Sequence, residues 1–190
     1  GLFSRQCLRR LPAIGPVFCY EPHPLNYRLL TQNLRGRAQV RTNHYGLGPS
    51  AGQLDFYMDP INQGNYSLNK AAMPANFQTI QVAIRSATEE SQRWMREWDG
   101  EFIYKSDTQG HDELILTSID PVFWDRVRCG VMELWQLKDK TVDAARLAAV
   151  LDRFPHKVME KDPTRRVSTQ EVIDFVSKDE GGSDDLFFVR

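Results

Sequence analysis

The chain has 190 residues, of which 41% are hydrophobic and 26% charged, and its formal net charge is −1. This length suits about one domain with a sizeable core, and the balanced charge predicts no nucleic-acid partner. No apolar run approaches the ~20 residues of a membrane span, so we expect no membrane partner. The three cysteines lack metal-type spacing, which predicts reduced, mostly buried thiols, no metal site and a cytoplasmic protein.

The chain opens with a helical pattern that leads into a buried strand over residues 17–20. The residues that share one face of this helix are Phe3, Cys7, Leu8 and Leu11. A helix before a strand is half of a βαβ unit. The strand and glycine turn that precede such a helix are missing, and Gly1 matches the last glycine of that turn. We therefore expect one domain over residues 1–190 that lacks its first strand.

The rest of the chain alternates between predicted helices and strands. The helices cover residues 24–35, 86–98, 112–118, 142–154 and 168–176, and the strands cover residues 38–42, 54–57, 102–106, 131–135, 156–160 and 186–189. Capping boxes open the helices at Ser86 and Ser168, and we expect the tryptophans at 94 and 98 to face the core. Residues 59–82 show no clear period and are a candidate substrate loop or lid. This alternation predicts a doubly wound parallel sheet.

Acidic residues follow two of the predicted strands. Glu21 ends the first strand because Pro22 turns the chain, and Asp107 follows the strand at 102–106. Ligands of open α/β sheets bind at the carboxyl ends of the strands, and a carboxylate there can accept hydrogen bonds from a ribose diol. Glu21 can instead cap the helix that follows it.

Five segments, taken together and in order, resemble the FkbM-type methyltransferases. They are VFCYEPHPLNYRLLTQNL, YGLGPSAGQLDFY, NYSL, YKSDTQGHDELIL and VMELWQL, within residues 1–137. The resemblance implies an α/β fold with a doubly wound, mostly parallel, Rossmann-like class I methyltransferase sheet and an antiparallel last strand. It also implies S-adenosylmethionine as cofactor and methyl transfer to a hydroxyl of a small-molecule or glycan acceptor.

The same resemblance assigns roles to individual residues. Glu21 would hold the ribose hydroxyls, next to Pro22, and Gly1 would be the remnant of the glycine turn that packs on the cofactor. Asn43, Tyr45 and Gly46 would lie near the adenine, and Asp107 near the methionine end or the acceptor.

A general base must take the proton of the acceptor hydroxyl, and the candidates near the strand ends are Asp107, His111 and Glu133. Glu133 can instead form an ion pair, and His111 can simply begin a helix. Acceptor choice is expected to depend on residues 59–82 and 136–141.

Two other functions fit parts of the sequence. Tyr66 and Lys70 have the Tyr-x-x-x-Lys spacing of short-chain dehydrogenases, but they lie in a predicted loop, and the chain has no G-x-G-x-x-G motif. A methyltransferase-like domain that has lost the glycine motif would instead bind a partner or glycan without catalysis.

Overall fold

The computed structural model describes residues 1–11, 13–61, 66–68, 70, 73, 75–138 and 141–190. The α-helices are α1 (Leu2–Arg10), α2 (Pro24–Asn33), α3 (Ala87–Glu97), α4 (Asp112–Ser118), α5 (Ala144–Leu151) and α6 (Thr169–Val176), and a 3₁₀ helix covers Pro121–Arg126. The strands are β1 (Val17–Tyr20), β2 (Val40–Asn43), β3 (Gly46–Gly48), β4 (Gly52–Met58), β5 (Tyr66–Ser67), β6 (Gln78–Ser86), β7 (Phe102–Ser106), β8 (Val127–Trp135), β9 (His156–Met159), β10 (Asp162–Arg166) and β11 (Ser183–Val189).

These strands form three separate sheets, so the prediction of one doubly wound, mostly parallel Rossmann-like sheet is wrong. The sheets have the strand orders β1-β2, β3-β6-β4-β5 and β10-β9-β11-β8-β7. Within the described ranges, parallel pairing is limited to β1 with β2, β3 with β6, and β7 with β8. The final strand, β11, runs antiparallel to both of its neighbours, β8 and β9.

Strand β6 explains much of this error. Its first five residues fall inside the segment that the sequence assigned to a loop, although Ile80, Val82 and Ile84 alternate as a half-buried strand does. β6 pairs antiparallel with β4 from Gly52 opposite Ile84 to Met58 opposite Gln78. A parallel pair needs a crossover connection, and no helix of the described residues crosses over between these two strands. Their antiparallel pairing forms the centre of the separate four-stranded sheet.

The helix starts follow the sequence signals. Ser168 and Glu171 form a complete capping box at α6, with each side chain bonded to the backbone of the other residue. At α3, the side chain of Ser86 accepts from the Glu89 amide at 3.3 Å. These caps satisfy amide groups that a helix leaves unpaired in its first turn.

The largest core cluster lies between the five-stranded sheet and helices α3 to α6. Its fully buried large side chains include Trp124, Phe154 and Phe188, and Trp94 of α3 joins it, as the sequence predicted. A smaller cluster of Leu8, Cys19, Leu30 and Leu34 joins α1 and α2 to β1. A third cluster, with Phe56, Val82 and Ile84, holds β4 to β6. All three cysteines are free thiols, and Cys19 is buried.

Candidate functional site

Glu21 lies at the carboxyl end of β1. Its amide donates to the Asn43 carbonyl at 3.1 Å, which extends the pairing of β1 with β2 by one residue. Its Oε1 accepts from the His23 amide at 2.9 Å, so the side chain also stabilises the turn into α2. No other hydrogen bond to this carboxylate occurs within the described residues, which leaves Oε2 available to a ligand. Burial raises the pKa of Glu21, although the His23 amide and the Gly1 ammonium group oppose this shift.

His23 is a residue of this site that the sequence analysis missed. It is the N-cap of α2, where its Nδ1 accepts from the Asn26 amide at 3.5 Å. Its ring is buried, lies 4.7 Å from the ring of Tyr66 in an edge arrangement and stacks near Phe56. Burial, with a smaller effect of His44, lowers its pKa. The sequence gives one signal for this role, a histidine directly before the proline that begins a helix.

Asn43 and Tyr45 belong to a hydrogen-bonded network that joins β1 and β2 to α3. The Tyr45 hydroxyl donates to Asn43 Oδ1 and lies within 3.1 Å of Glu90 Oε1 as well. Tyr20 donates to Glu90 Oε2 at 2.6 Å and accepts from Trp94 Nε1 at 2.6 Å. The polar atoms of Asn43 and Tyr45 therefore already have protein partners.

Gly46 begins β3 and lies close to β6. A Cβ atom at this position would lie 2.9 Å from Ile84 Cδ1 and 3.7 Å from the ring of Pro22. A side chain at position 46 would therefore displace the end of the Ile84 side chain, whether or not a ligand lies nearby. Gly46 and Pro22 are therefore neighbours next to the Glu21 turn.

Asp107 begins the turn after β7 and is held by its neighbours. It forms an ion pair with Lys105 at 2.9 Å and accepts from Gln109 Nε2 at 3.1 Å. Gln109 and Gly110 both have positive φ angles, of 53° and 95°, which gives the turn its tight path. Burial alone would raise the pKa of Asp107, but Lys105 and the hydrogen bonds outweigh it and lower the pKa.

Glu133, on the adjacent strand β8, shares Gln109 with Asp107. Gln109 Nε2 donates to Glu133 Oε2 at 2.7 Å. Burial raises the pKa of Glu133, and the charges of Asp107 and Asp185 raise it further. Asp185 lies directly opposite Glu133 on β11. Glu133 is therefore the stronger base of the two carboxylates that Gln109 joins.

His111 and Asp112 lie at the start of α4. His111 occupies the N-cap position without a side-chain capping bond. Asp112 is completely buried and accepts hydrogen bonds from the Ser106 hydroxyl, the Thr108 amide (3.1 Å) and the Thr108 hydroxyl (2.8 Å). Burial raises its pKa to about 7. Asp112 holds the turn that carries Asp107, a role that the sequence analysis missed.

Strand β5 contacts both strand ends. Tyr66 packs on His23, beside Glu21, and the Ser67 hydroxyl donates to the Gln109 carbonyl at 2.6 Å, beside Asp107 and Glu133. β5 belongs to the candidate substrate loop, of which residues 62–65, 69, 71–72 and 74 lie outside the described residues. Residues 139–140 of the second substrate segment lie outside them too. Tyr66 is in a strand, which disagrees with the helical Tyr-x-x-x-Lys pair of a dehydrogenase.

A cavity of about 370 Å³ lies elsewhere in the fold. It is lined by residues from α3, α5 and the carboxyl end of α4, among them Thr88, Ser118 and Arg146. Since His111 and Asp112 lie at the opposite end of α4, this cavity is separate from the strand-end acids.

Across the described ranges, no group of three or more histidine, cysteine or acidic side chains is arranged to hold a metal ion. In the same residues, no helix combines the length and the apolar character that crossing a bilayer requires.

Comparison with known proteins found no family model, no curated protein and no solved structure that matches this chain.

Proposed function

We propose that this chain is an S-adenosylmethionine-dependent O-methyltransferase that modifies a hydroxyl of a saccharide or natural-product acceptor in the cytoplasm. The observation that carries the proposal is the position of β5. Its two residues contact the surroundings of Glu21 and the turn that holds Asp107 and Glu133. A ribose-binding carboxylate and a candidate base are thus connected through two adjacent residues.

Glu21 fits the ribose of this cofactor. It is half-buried, and one of its two carboxylate oxygens has no hydrogen-bond partner among the described residues. A vicinal diol needs such an acceptor, and hydrogen bonds to a charged group contribute about 1.5–3 kcal/mol each. Asn43 and Tyr45 are less suited to hydrogen-bond the adenine of the cofactor, because they already bond to each other and to α3. The bound cofactor would supply a methyl group on a sulfonium centre.

Glu133 is the residue that we assign as general base. The acceptor hydroxyl must lose its proton, and a base works best when its pKa is raised towards the working pH. The pKa of Glu133 is raised, whereas that of Asp107 is lowered. Glu133 would therefore accept the proton on Oε1 or Oε2 while Gln109 holds the carboxylate in place. The Lys105–Asp107 pair would orient the acceptor through hydrogen bonds.

A non-catalytic domain that binds a partner or glycan is the second candidate. The observation that favours it is the use of Asn43 and Tyr45 in the network that fastens β2 to α3. Residues committed to structure in this way contribute little to a cofactor site.

Binding is tested by calorimetric titration of the full chain with S-adenosylhomocysteine. We expect Glu21→Gln to weaken binding by about ten-fold or more, because it removes a charge-assisted hydrogen bond of about 1.5–3 kcal/mol. Glu101→Gln, at an exposed glutamate paired with Arg128, is the matched control and should leave the affinity unchanged. No binding by the folded wild-type chain would contradict the proposal.

Catalysis is tested by transfer of a labelled methyl group to a panel of saccharide acceptors. We expect Glu133→Gln to lower turnover by about 10²-fold or more, with unchanged affinity for S-adenosylhomocysteine. Binding of S-adenosylhomocysteine without methylation of any acceptor would favour the non-catalytic domain. An equal rate for Glu133→Gln and wild type would remove Glu133 as the base.

A further inference from the structure

The small net charge of this chain hides a strong separation of charge along it. Residues 1–54 contain seven arginines, no lysine or aspartate, and one glutamate, Glu21, which gives a formal charge of +6. The remaining residues carry −7, and the two parts add to the overall −1. The average therefore says little about which partners the two parts attract.

Six of these arginines lie on the surface of the α1–α2 region. They are Arg5, Arg9 and Arg10 of α1, Arg28 of α2, and Arg35 and Arg37 of the turn before β2. All six side chains are exposed, and none forms an ion pair with a carboxylate among the residues that the structure describes. Arg41, the seventh, lies 3.8 Å from Glu97. The positive charge of this region is thus not neutralised by the protein itself.

Large apolar side chains are exposed among these arginines. Leu2 is 68% exposed, Leu25 56% and Leu29 52%, and Phe3 and Leu11 exceed 40%. α1 and α2 bury other residues, Leu8, Leu30 and Leu34, against β1. We call the six arginines together with Leu2, Phe3, Leu11, Leu25 and Leu29 the basic apolar face.

The start of α1 contacts α2, so the two helices are neighbours. A Cβ atom at Gly1 would lie 3.2 Å from Leu30 Cδ1 and 3.5 Å from Asn33 Cβ, so the start of α1 contacts α2. A shallow cavity of about 520 Å³ on α1 is lined by Leu2, Phe3 and Leu11 together with Arg10. On α1, an arginine and three exposed apolar side chains therefore line the same cavity.

We propose that the basic apolar face binds the surface of a bilayer that contains anionic phospholipids. Arginines pair with phosphate and carboxylate headgroups, and leucine and phenylalanine side chains enter the boundary between headgroups and acyl chains. A nucleic acid would match the arginines but would leave the exposed leucines in contact with its charged backbone. Tyr27, the tyrosine of this region that could stack on a base, is already stacked on His44 with ring centres 4.5 Å apart.

This proposal revises the expectation of no membrane partner. That expectation came from the absence of a spanning segment and from the overall charge. A protein bound at the surface needs no spanning segment, and its attraction depends on the charge that faces the lipid.

The test is co-sedimentation of the full chain with vesicles of phosphatidylcholine alone or with about one third phosphatidylserine. We expect the protein to bind the vesicles that contain phosphatidylserine and not those of pure phosphatidylcholine. The partition coefficient of the protein should fall as the salt concentration rises. The triple variant Arg5→Gln, Arg9→Gln, Arg10→Gln should bind at least about ten-fold more weakly. The control triple Arg128→Gln, Arg146→Gln, Arg166→Gln removes the same charge from other exposed positions and should retain binding.

A second variant tests the apolar contribution at constant charge. Leu2→Ser with Leu29→Ser should reduce vesicle binding several-fold, since two exposed side chains would no longer enter the bilayer. The proposal is overturned by an absence of binding to anionic vesicles, or by equal losses in the two arginine triples. Binding to RNA or duplex DNA in a gel-shift assay without vesicle binding would overturn it as well.

Discussion

The buried carboxyl group of Asp112 makes stability depend on pH in a way that can be measured. Its side chain is fully buried, and burial raises its pKa from 3.8 to about 7, helped by the charge of Glu113 and opposed by bonds from Ser106 and Thr108. The unfolded chain loses this proton near pH 4 and the folded chain near pH 7. Between these values the folded state binds more protons, so a rise in pH favours unfolding.

The size of the effect follows from the shift. A difference of about three pKa units corresponds to about 4 kcal/mol in the free energy of unfolding. The wild-type protein should lose this contribution progressively between about pH 4 and pH 7 and lose no more of it above about pH 8. Asp112→Asn keeps a neutral group of the same shape at every pH. Its amide can donate to Ser106, and its oxygen can accept from Thr108.

Urea unfolding followed by tryptophan fluorescence measures this difference, since the chain has four tryptophans. We expect the free energy of unfolding of Asp112→Asn, relative to wild type, to rise by about 4 kcal/mol from about pH 4 to pH 8. Asp179→Asn removes one carboxylate at an exposed position and serves as control. A difference between Asp112→Asn and wild type that stays constant over this range would refute the reasoning.

Three further substitutions test the packing and the turns. Tyr20→Phe removes the hydroxyl that bonds Glu90 and Trp94 and should lower the free energy of unfolding by about 1–3 kcal/mol in urea titrations; an unchanged midpoint would contradict this. Gly110→Ala should lower the melting temperature far more than Gly36→Ala. Both glycines have positive φ angles, so the backbone strain is similar. The new methyl group would overlap Leu137 at position 110 but would meet open space at position 36. Equal shifts would show that the overlap is relieved. Ser168→Ala should cost about 1 kcal/mol through loss of the capping box, and hydrogen exchange in the first turn of α6 should increase; unchanged exchange there would argue against the cap.

Local patterns predicted most elements of this fold. The strand at Phe102–Ser106 and the helix at Asp112–Ser118 were predicted with their observed bounds, and α3 and α6 begin at the serine caps that the sequence indicated. These features depend on residues within one or two turns of each other. Glu21 and Asp107 were placed at strand ends for the same reason, because Pro22 and Gly110 are turn-forming residues that can be recognised in the sequence alone.

The sequence by itself therefore determined most of the helices, several of the strands and which acids follow a strand, but it missed β3, β5, β10 and most of β6. Only the tertiary structure decided how the strands are joined, because pairing depends on partners far apart in the chain. β6 with β4 and β11 with β8 and β9 form antiparallel pairs that no local period distinguishes from parallel ones. The same holds at the site. Gln109 bonds to Glu133, 24 residues further along the chain, and Ser67 bonds to Gln109 across 42 residues, so these contacts exist only once the chain is folded.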